Sequence, residues 1–84
     1  MKYRVFVQRS AQKHLAKIPN PYRDRIFHSI RELEINPRPI GSIKLAGRNA
    51  WRIRIGDYRV IYEIYDDRLI VIVITISHRR EAYR

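Results

Sequence analysis

Three strand-like segments follow one another in the second half of the chain, and they constrain its fold more than any other part. The first, about Ala50 to Ile55, alternates apolar residues with arginines, as a strand with one buried face does. The second, about Tyr58 to Tyr65, alternates in the same way after a tight turn at Gly56-Asp57. Asp66-Asp67 turns the chain again, and the third segment, Leu69 to Ser77, is apolar and β-branched on both faces. A segment of this kind is typical of a central strand.

The first half of the chain predicts one strand and two helices. Lys2 to Gln8 alternates as a short strand. Ser10 is a candidate helix N-cap, and the apolar stripe at helical spacing after it consists of Ala11, Leu15 and Ile18. Pro19 ends this helix, and Asn20-Pro21 starts a second helix that is expected to end near Asn36. The predicted buried face of the second helix consists of Ile26, Phe27, Ile30 and Leu33.

The order of these elements is strand, helix, helix and three strands, with a loop over Asn36 to Ser42 that contains two prolines and a glycine. This order predicts an α/β (α+β) fold in which a helical hairpin packs on a mostly antiparallel four-stranded sheet. The helical hairpin returns the chain to its starting end, so we expect the first strand to pair antiparallel with the central last strand. At 84 residues, the chain is expected to form a single domain over 1–84.

The chain is strongly basic. It carries 18 basic and 8 acidic residues, a formal net charge of +10, and most of its basic residues are arginines, whose planar guanidinium suits bidentate recognition of phosphate. An anionic partner is therefore expected: nucleic acid, an acidic protein or an anionic membrane surface. The membrane is the weakest of the three, because no segment combines a basic face with a broad apolar one. The absence of cysteine fits a reducing cytoplasm.

Five residues of the second half form a pattern that core packing does not require: Arg52, Arg54, Arg59, Arg79 and Tyr83. The first three belong to the two alternating strands, and the last two follow the apolar strand. A site that binds a phosphate and transfers a proton next to it would use all five.

Each of these residues also has a purely structural interpretation. The two arginines of the first strand could be solvated residues on the outer face of a half-exposed strand. Arg59 could form a surface ion pair with Asp57 or Glu63. His78 could simply end the third strand, and Tyr83 could pack on the sheet or fray with the terminus.

Four segments can be compared with a known family: YRVFVQRSAQKHLAKIP, NPRPIGSIKLAG, WRIRIGDYRVIYEI and ISHRREAYR. Together they cover essentially the whole chain, and they resemble the RelE side of the RelE/ParE superfamily of prokaryotic toxin–antitoxin toxins. The hairpin and the closing motif carry most of the specificity. The resemblance implies a ribosome-dependent endoribonuclease that enters the ribosomal decoding site, cuts the message and is silenced by a cognate antitoxin.

The resemblance also implies roles for individual residues. Arg52 and Arg54 match a pair of basic residues, often lysines, that contact the RNA backbone. Arg59 matches the arginine that stabilises charge on the scissile phosphate, while Arg79 and Tyr83 match the arginine of the closing motif and a tyrosine near the C-terminus. The chain departs from the family in two respects. Arginine cannot readily act as the general base that a lysine of the pair would provide, because its pKa is above about 12. The spacing from Arg79 to Tyr83 is also shorter than in some members.

RNA cleavage without a metal needs a base near the 2′-oxygen, cations around the phosphate and a proton source for the leaving 5′-oxygen. His78 could act as acid or base, and a surrounding arginine cluster would favour the phenolate of Tyr83. The arginines would stabilise the dianionic phosphorane, and the expected product is a 2′,3′-cyclic phosphate with a 5′-hydroxyl. We expect no metal and no cofactor. Further candidate contacts to RNA are Lys44, Arg48, Arg80 and Arg84.

The expected partners are an acidic antitoxin, the ribosome and mRNA, with a toxin–antitoxin hetero-oligomer as the silenced form. Two other classes of function stay open. One is a ParE-like toxin of the same fold that poisons gyrase and lacks the nuclease residues. The other is a small basic RNA-binding module without catalysis, which would bind RNA in a salt-sensitive manner and leave it intact.

Overall fold

A five-stranded sheet with two helices packed on one of its faces makes up the part of the chain that the structure, a computed structural model, describes: residues 2–79. The elements are β1 (Arg4–Val7), α1 (Arg9–Lys17), α2 (Tyr22–Glu32), β2 (Ile43–Lys44), β3 (Trp51–Ile55), β4 (Tyr58–Tyr65) and β5 (Ile70–His78). The strands lie in the order β1-β5-β4-β3-β2. The predicted α+β class, the helical hairpin and the mostly antiparallel sheet are confirmed.

The sheet differs from the prediction in two respects. It has five strands rather than four, because Ile43 and Lys44 pair antiparallel with the start of β3 as the short edge strand β2. The prediction that the first strand is antiparallel to the last was wrong, since β1 pairs with β5 in parallel. The reason is the number of reversals. The helical hairpin brings the chain back to start β3 in the direction of β1, and the two following hairpins reverse it twice more, so β5 runs parallel to β1.

The helices begin and pack slightly differently from the prediction. α1 starts at Arg9 with Gln8 in the extended N-cap position, two residues before the expected cap at Ser10. The stripe of α2 is buried at Ile26, Ile30 and Leu33, but Phe27, predicted to be buried with them, is 54% exposed. Phe27 lies about 100° around the helix from Ile26, beyond the edge of the core-facing stripe.

The core lies between the helices and one face of the sheet, and Tyr62 is its largest fully buried side chain. Its hydroxyl donates a hydrogen bond of 2.8 Å to the carbonyl of Pro37. Burial raises the pKa of Tyr62 to about 12, so the phenol stays neutral and keeps its hydrogen for this bond. The bond fixes the proline-containing loop after α2 to the middle of β4.

A β-bulge in β5 decides which of its side chains face the helices. Ile61 pairs with Thr75, but the next residue, Tyr62, pairs with Val73, so Ile74 has no partner in the register between β4 and β5. Simple alternation from Val73 would place residues 75 and 77 on the core side. The extra residue inverts this order, and Ile76 is fully buried instead.

Asp66, in the turn between β4 and β5, joins three distant segments of the chain. Arg38 makes two hydrogen bonds to its carboxylate, of 3.1 and 2.7 Å, and the hydroxyl of Tyr3 donates a third of 2.6 Å. The Arg38 guanidinium also lies 5.0 Å from the centre of the Trp51 ring. The bonds from Arg38 and then from Tyr3 lower the pKa of Asp66 from 3.8 to about 2. These hydrogen bonds connect the start of the chain, the loop after α2 and the β4–β5 turn at one end of the sheet.

Asp66→Asn is expected to destabilise the protein in a pH-dependent way. The pKa of Asp66 is lower in the folded chain than in the unfolded chain, so the carboxylate stabilises the fold fully above about 3.8, and this contribution is lost as the pH falls towards about 2. The difference in free energy of unfolding between wild type and Asp66→Asn, measured by urea denaturation, should therefore be largest at neutral pH and shrink between pH 4 and pH 2.

Asp67→Asn is the matched control, because it removes the neighbouring carboxylate, which makes no ion pair within residues 2–79. It should change stability little at any pH. A difference between wild type and Asp66→Asn that stays constant from pH 7 to pH 2 would contradict the role given to Asp66.

Candidate functional site

The face of the sheet opposite the helices carries a group of three arginines, called here the arginine cluster: Arg52, Arg54 and Arg59. Paired residues of neighbouring strands point to the same side of a sheet, so the register assigns the faces. Ile53 of β3 pairs with Val60 of β4, and both are buried against the helices. Side chains alternate between the two faces along each strand, so all three arginines project from the other side of the sheet, which we call the open face.

The pairing of β3 with β4 brings the three guanidinium groups into one patch. Arg54 lies directly opposite Arg59, and Arg52 lies opposite Ile61, diagonally across from Arg59. Side chains in direct cross-strand positions have Cβ atoms about 5 Å apart, and diagonal neighbours lie about 7–8 Å apart. Three arginine side chains at these separations can reach one phosphate group together, and bringing their like charges together costs stability.

Two hydroxyl side chains continue the arginine cluster onto β5. Ser77 pairs with Arg59, and Thr75 pairs with Ile61. The Nε atom of Arg52 is buried, and it has no hydrogen-bond acceptor among residues 2–79. A buried N–H without an acceptor is costly, so the position of the Arg52 side chain carries a cost in stability. Sequence reasoning missed Ser77 and Thr75 because the bulge, which nothing in an apolar run reveals, places them on the open face.

Arg79 is held at the end of the sheet where β3 turns into β4. Its backbone N–H donates a hydrogen bond of 2.7 Å to the carbonyl of Asp57, and its guanidinium lies 3.9 Å from the Asp57 carboxylate. The Gly56-Asp57 turn that holds it was predicted correctly, and Gly56 has a φ of +60°, which favours glycine. Arg79 therefore lies one row of residues beyond the pair formed by Tyr58 and His78.

His78 lies on the helix side of the sheet, away from the face of the arginine cluster. It pairs with Tyr58, and its ring meets the Tyr58 ring edge-on at a centroid distance of 5.1 Å. The Tyr58 ring in turn packs against Tyr22 of α2, with centroids 5.6 Å apart. The bulge at Ile74 is the physical reason, because without it His78 would fall on the open face beside Arg59.

The remaining predicted RNA contacts do not join the arginine cluster within the described part of the chain. Lys44 pairs with Trp51, and its Nζ donates a hydrogen bond of 2.9 Å to the carbonyl of Arg48. Both residues therefore lie by the turn between β2 and β3, at the opposite end of β3 from Arg54. The predicted site residues Arg80, Tyr83 and Arg84 lie outside the described residues.

Two general features of the described residues bear on the kind of site. Within residues 2–79, no group of three or more histidine, cysteine, aspartate or glutamate side chains could hold a metal ion. In the same residues, no helix is both long and apolar enough to cross a membrane.

Comparisons with known proteins agree with this architecture. Residues 5–83 match the family described as the ParE toxin of the type II toxin–antitoxin system parDE. A relative from Methanocaldococcus jannaschii that bears the name toxin RelE1 is 32% identical over 88 residues, which cover 100% of this chain and 98% of the relative.

Solved structures show the same fold. The archaeal RelE–RelB complex from Pyrococcus horikoshii OT3 contains a chain that is 30% identical, with a TM-score of 0.85 and coverage of 94% of this chain and 97% of that one. The RelB–RelE antitoxin–toxin complex from Methanococcus jannaschii contains one that is 28% identical, with a TM-score of 0.75 and coverage of 93% and 94%. The chain thus belongs to the RelE/ParE superfamily of toxins from type II toxin–antitoxin systems. Within that superfamily it is a RelE-type toxin.

Arg54→Gln is expected to stabilise the fold, because it removes one of two like charges placed directly opposite each other. Cross-strand pairs of this kind change stability by about 0.2–1 kcal/mol, so the free energy of unfolding should rise by an amount in that range at low ionic strength. Salt screens the repulsion in the wild type, and the advantage of the variant should therefore decrease in urea denaturation at about 0.5 M salt.

Arg68→Gln is the matched control for this prediction. It removes the same charge from the turn between β4 and β5, at the other end of the sheet, and should change stability less than Arg54→Gln does. An Arg54→Gln protein that is less stable than wild type at low salt would show that Arg54 is not under electrostatic strain.

Proposed function

We propose that this toxin is a ribosome-dependent endoribonuclease that cuts mRNA in the ribosomal decoding site and thereby stops translation. The observation that carries the proposal is the arginine cluster. Three arginines occupy neighbouring cross-strand positions on one open sheet face, where like charges destabilise a sheet. A binding partner with dense negative charge, such as an RNA phosphate, would relieve that repulsion.

In the proposed reaction, the 2′-hydroxyl of the nucleotide before the cut attacks the adjacent phosphorus. A base takes the proton of the 2′-hydroxyl, a bond forms between the 2′-oxygen and phosphorus, and the bond to the 5′-oxygen breaks as that oxygen receives a proton. The products are a 2′,3′-cyclic phosphate and a 5′-hydroxyl. The phosphorane between them carries two negative charges, which Arg59 and its neighbours Arg52 and Arg54 would stabilise.

Arg79 and Tyr83 complete the proposed site. Arg79 sits at the same end of the sheet as Arg54 and Arg59, held by Asp57, and would contribute a further cation to the phosphate. An arginine cluster beside Tyr83 would favour its phenolate, so we assign the proton transfer at the 2′-oxygen to this residue. His78 packs on Tyr58 on the helix side, and its proposed part is to anchor the end of β5.

Dependence on the ribosome follows from the openness of the patch. The arginine cluster lies on a sheet face, with the two described helices on the other side. Positioning of a flexible message for in-line attack is worth several orders of magnitude in rate. The decoding site would supply this positioning, so free RNA should be a poor substrate.

We further propose that an acidic antitoxin silences the toxin in a hetero-oligomer. The relatives of known structure from Pyrococcus horikoshii and Methanococcus jannaschii are complexes of RelE with RelB. A partner that neutralises part of the +10 charge would stabilise the toxin and cover the arginine cluster at the same time.

Two alternatives are separated by simple assays. The first alternative is gyrase inhibition, because the matching family is described as the ParE toxin. A supercoiling assay with purified gyrase tests for it. A module that only binds RNA would retain salt-sensitive binding without any strand scission. The arginine cluster favours an RNA partner over gyrase, and strand scission separates cleavage from binding alone.

Wild-type toxin added to a purified translation system is expected to cut a translating message at decoding-site positions, mapped by primer extension. Arg59→Ala should lower the cutting rate by a factor of about 10²–10³, the usual effect of removing one preorganised charge-stabilising group. Arg68→Ala, which removes an arginine from the far end of the sheet, should cut at nearly the wild-type rate. A control without ribosomes should show little cutting.

The outcomes discriminate between the proposals. Equal loss of activity in Arg59→Ala and Arg68→Ala would mean that total charge, and not the arginine cluster, determines cutting. Strong cleavage of protein-free RNA would contradict dependence on the ribosome. Full activity of Tyr83→Phe would exclude Tyr83 as the base.

A further inference from the structure

The charges of the described residues are distributed unevenly between the two ends of the sheet. One end, called here the cationic end, holds the Gly56-Asp57 turn, the arginine cluster and Arg79. Most of the acidic residues lie towards the other end, which holds the Asp66 turn: Glu32, Glu34, Glu63, Asp66 and Asp67. Asp57, whose carboxylate lies 3.9 Å from the Arg79 guanidinium, is the acidic residue of the turn at the cationic end, and basic side chains outnumber it there among residues 2–79.

The helix side of the cationic end is also basic. A cleft of about 400 Å³ lies there, lined by His14 and Lys17 of α1 and by Tyr58 and His78 of the sheet. The Nδ1 atom of His14 lies 3.0 Å from the carbonyl of Ile76. Because a carbonyl only accepts, Nδ1 must be the donor, and this bond fixes α1 over the end of β5.

A stripe of cations runs from this cleft along the solvent side of α1. Arg9, Lys13 and Lys17 recur every four residues, on the side of the helix opposite its core-facing stripe, and all three are exposed. α1 contains no acidic residue, and none of the three makes an ion pair within residues 2–79. Like charges four residues apart destabilise a helix. A cation in the last turn is favourable, so helix formation accounts for Lys17 but not for Arg9 and Lys13.

We infer that the α1 stripe and the adjoining cleft form a second RNA-binding surface, which contacts ribosomal RNA while the arginine cluster holds the message. The inference rests on the proposed function and deepens it. The two surfaces lie on opposite sides of one end of a two-layer molecule. A single-stranded message gripped by the open face does not need the helix side, but a protein inserted into a cavity walled by structured RNA meets phosphate on both sides.

Lys13→Gln/Lys17→Gln tests the surface without touching the proposed catalytic residues. Lys2→Gln/Arg31→Gln is the matched control, because it removes the same net charge near Glu32 and Glu34, and Arg31 is, like Lys17, a last-turn helix cation. The change at α1 removes like-charge repulsion together with one favourable last-turn charge, so thermal melts would verify that both variants are folded.

The binding of each protein to message-free ribosomes and to a short fluorescein-labelled single-stranded RNA is then measured between about 0.05 and 0.2 M KCl. For ribosomes, the α1 variant should lower the slope of log K against log[KCl] by about 1.8, roughly 0.9 for each lost phosphate contact, and weaken binding by about tenfold or more. The control variant should change both quantities much less. Binding of the single-stranded RNA should be affected equally by the two variants.

The remaining outcomes each overturn the inference in a distinct way. Equal loss of ribosome binding in the two variants would show that only net charge matters, and it would leave the proposed nuclease intact if decoding-site cleavage persists. A loss on single-stranded RNA as large as that on ribosomes would assign the α1 surface to the message. Failure of the wild type to bind ribosomes would overturn the inference and the proposed function together.

Discussion

The register between β4 and β5 is the constraint on which the rest of the architecture depends. β5 lies between β1 and β4, so its alternation fixes the faces of its neighbours, and the unpaired Ile74 changes that alternation partway along the strand. Before the bulge, Val71 and Val73 face the helices, and after it Ile76 does. A continuous strand would bury Ser77 and place His78 beside the arginines. The bulge thus allows one strand to complete the core and to leave a polar edge on the open face.

The charges that stabilise the fold and the charges proposed to bind RNA lie at opposite ends of the sheet. At one end, Asp66 accepts hydrogen bonds from Arg38 and Tyr3 and ties together loop, strand and turn. At the other end, Arg54 and Arg59 face each other across β3 and β4. Small domains have little stability to spare, so repulsion at one end must be offset elsewhere. The account proposed for this toxin is that RNA, or an acidic antitoxin, supplies further negative charge at that end.

Much of this arrangement could be predicted from the sequence, and the failures have physical causes. Alternation in β3 and β4 was sufficient to put Arg52, Arg54 and Arg59 on one face, because each strand has one apolar side. β5 is apolar on both sides, so its sequence pattern does not show which of its side chains face the helices. The placement of His78 could therefore not be predicted. β2 is only two residues long and is defined by its partner, not by its own sequence. The direction of β1 was predicted wrongly, because the return of the chain through the helical hairpin does not fix it: the two later hairpins reverse the chain twice more.

The central claim is that the 2′-hydroxyl of the message attacks a phosphate that the arginine cluster holds. A message with a single 2′-deoxynucleotide immediately before the mapped cut, translated in a purified system with wild-type toxin, tests it most directly. The account predicts that cutting at that position disappears, while the all-RNA message is cut there to give a 2′,3′-cyclic phosphate and a 5′-hydroxyl. Cutting of the deoxy-substituted message at the same bond, with a 5′-phosphate on the downstream fragment, would contradict it.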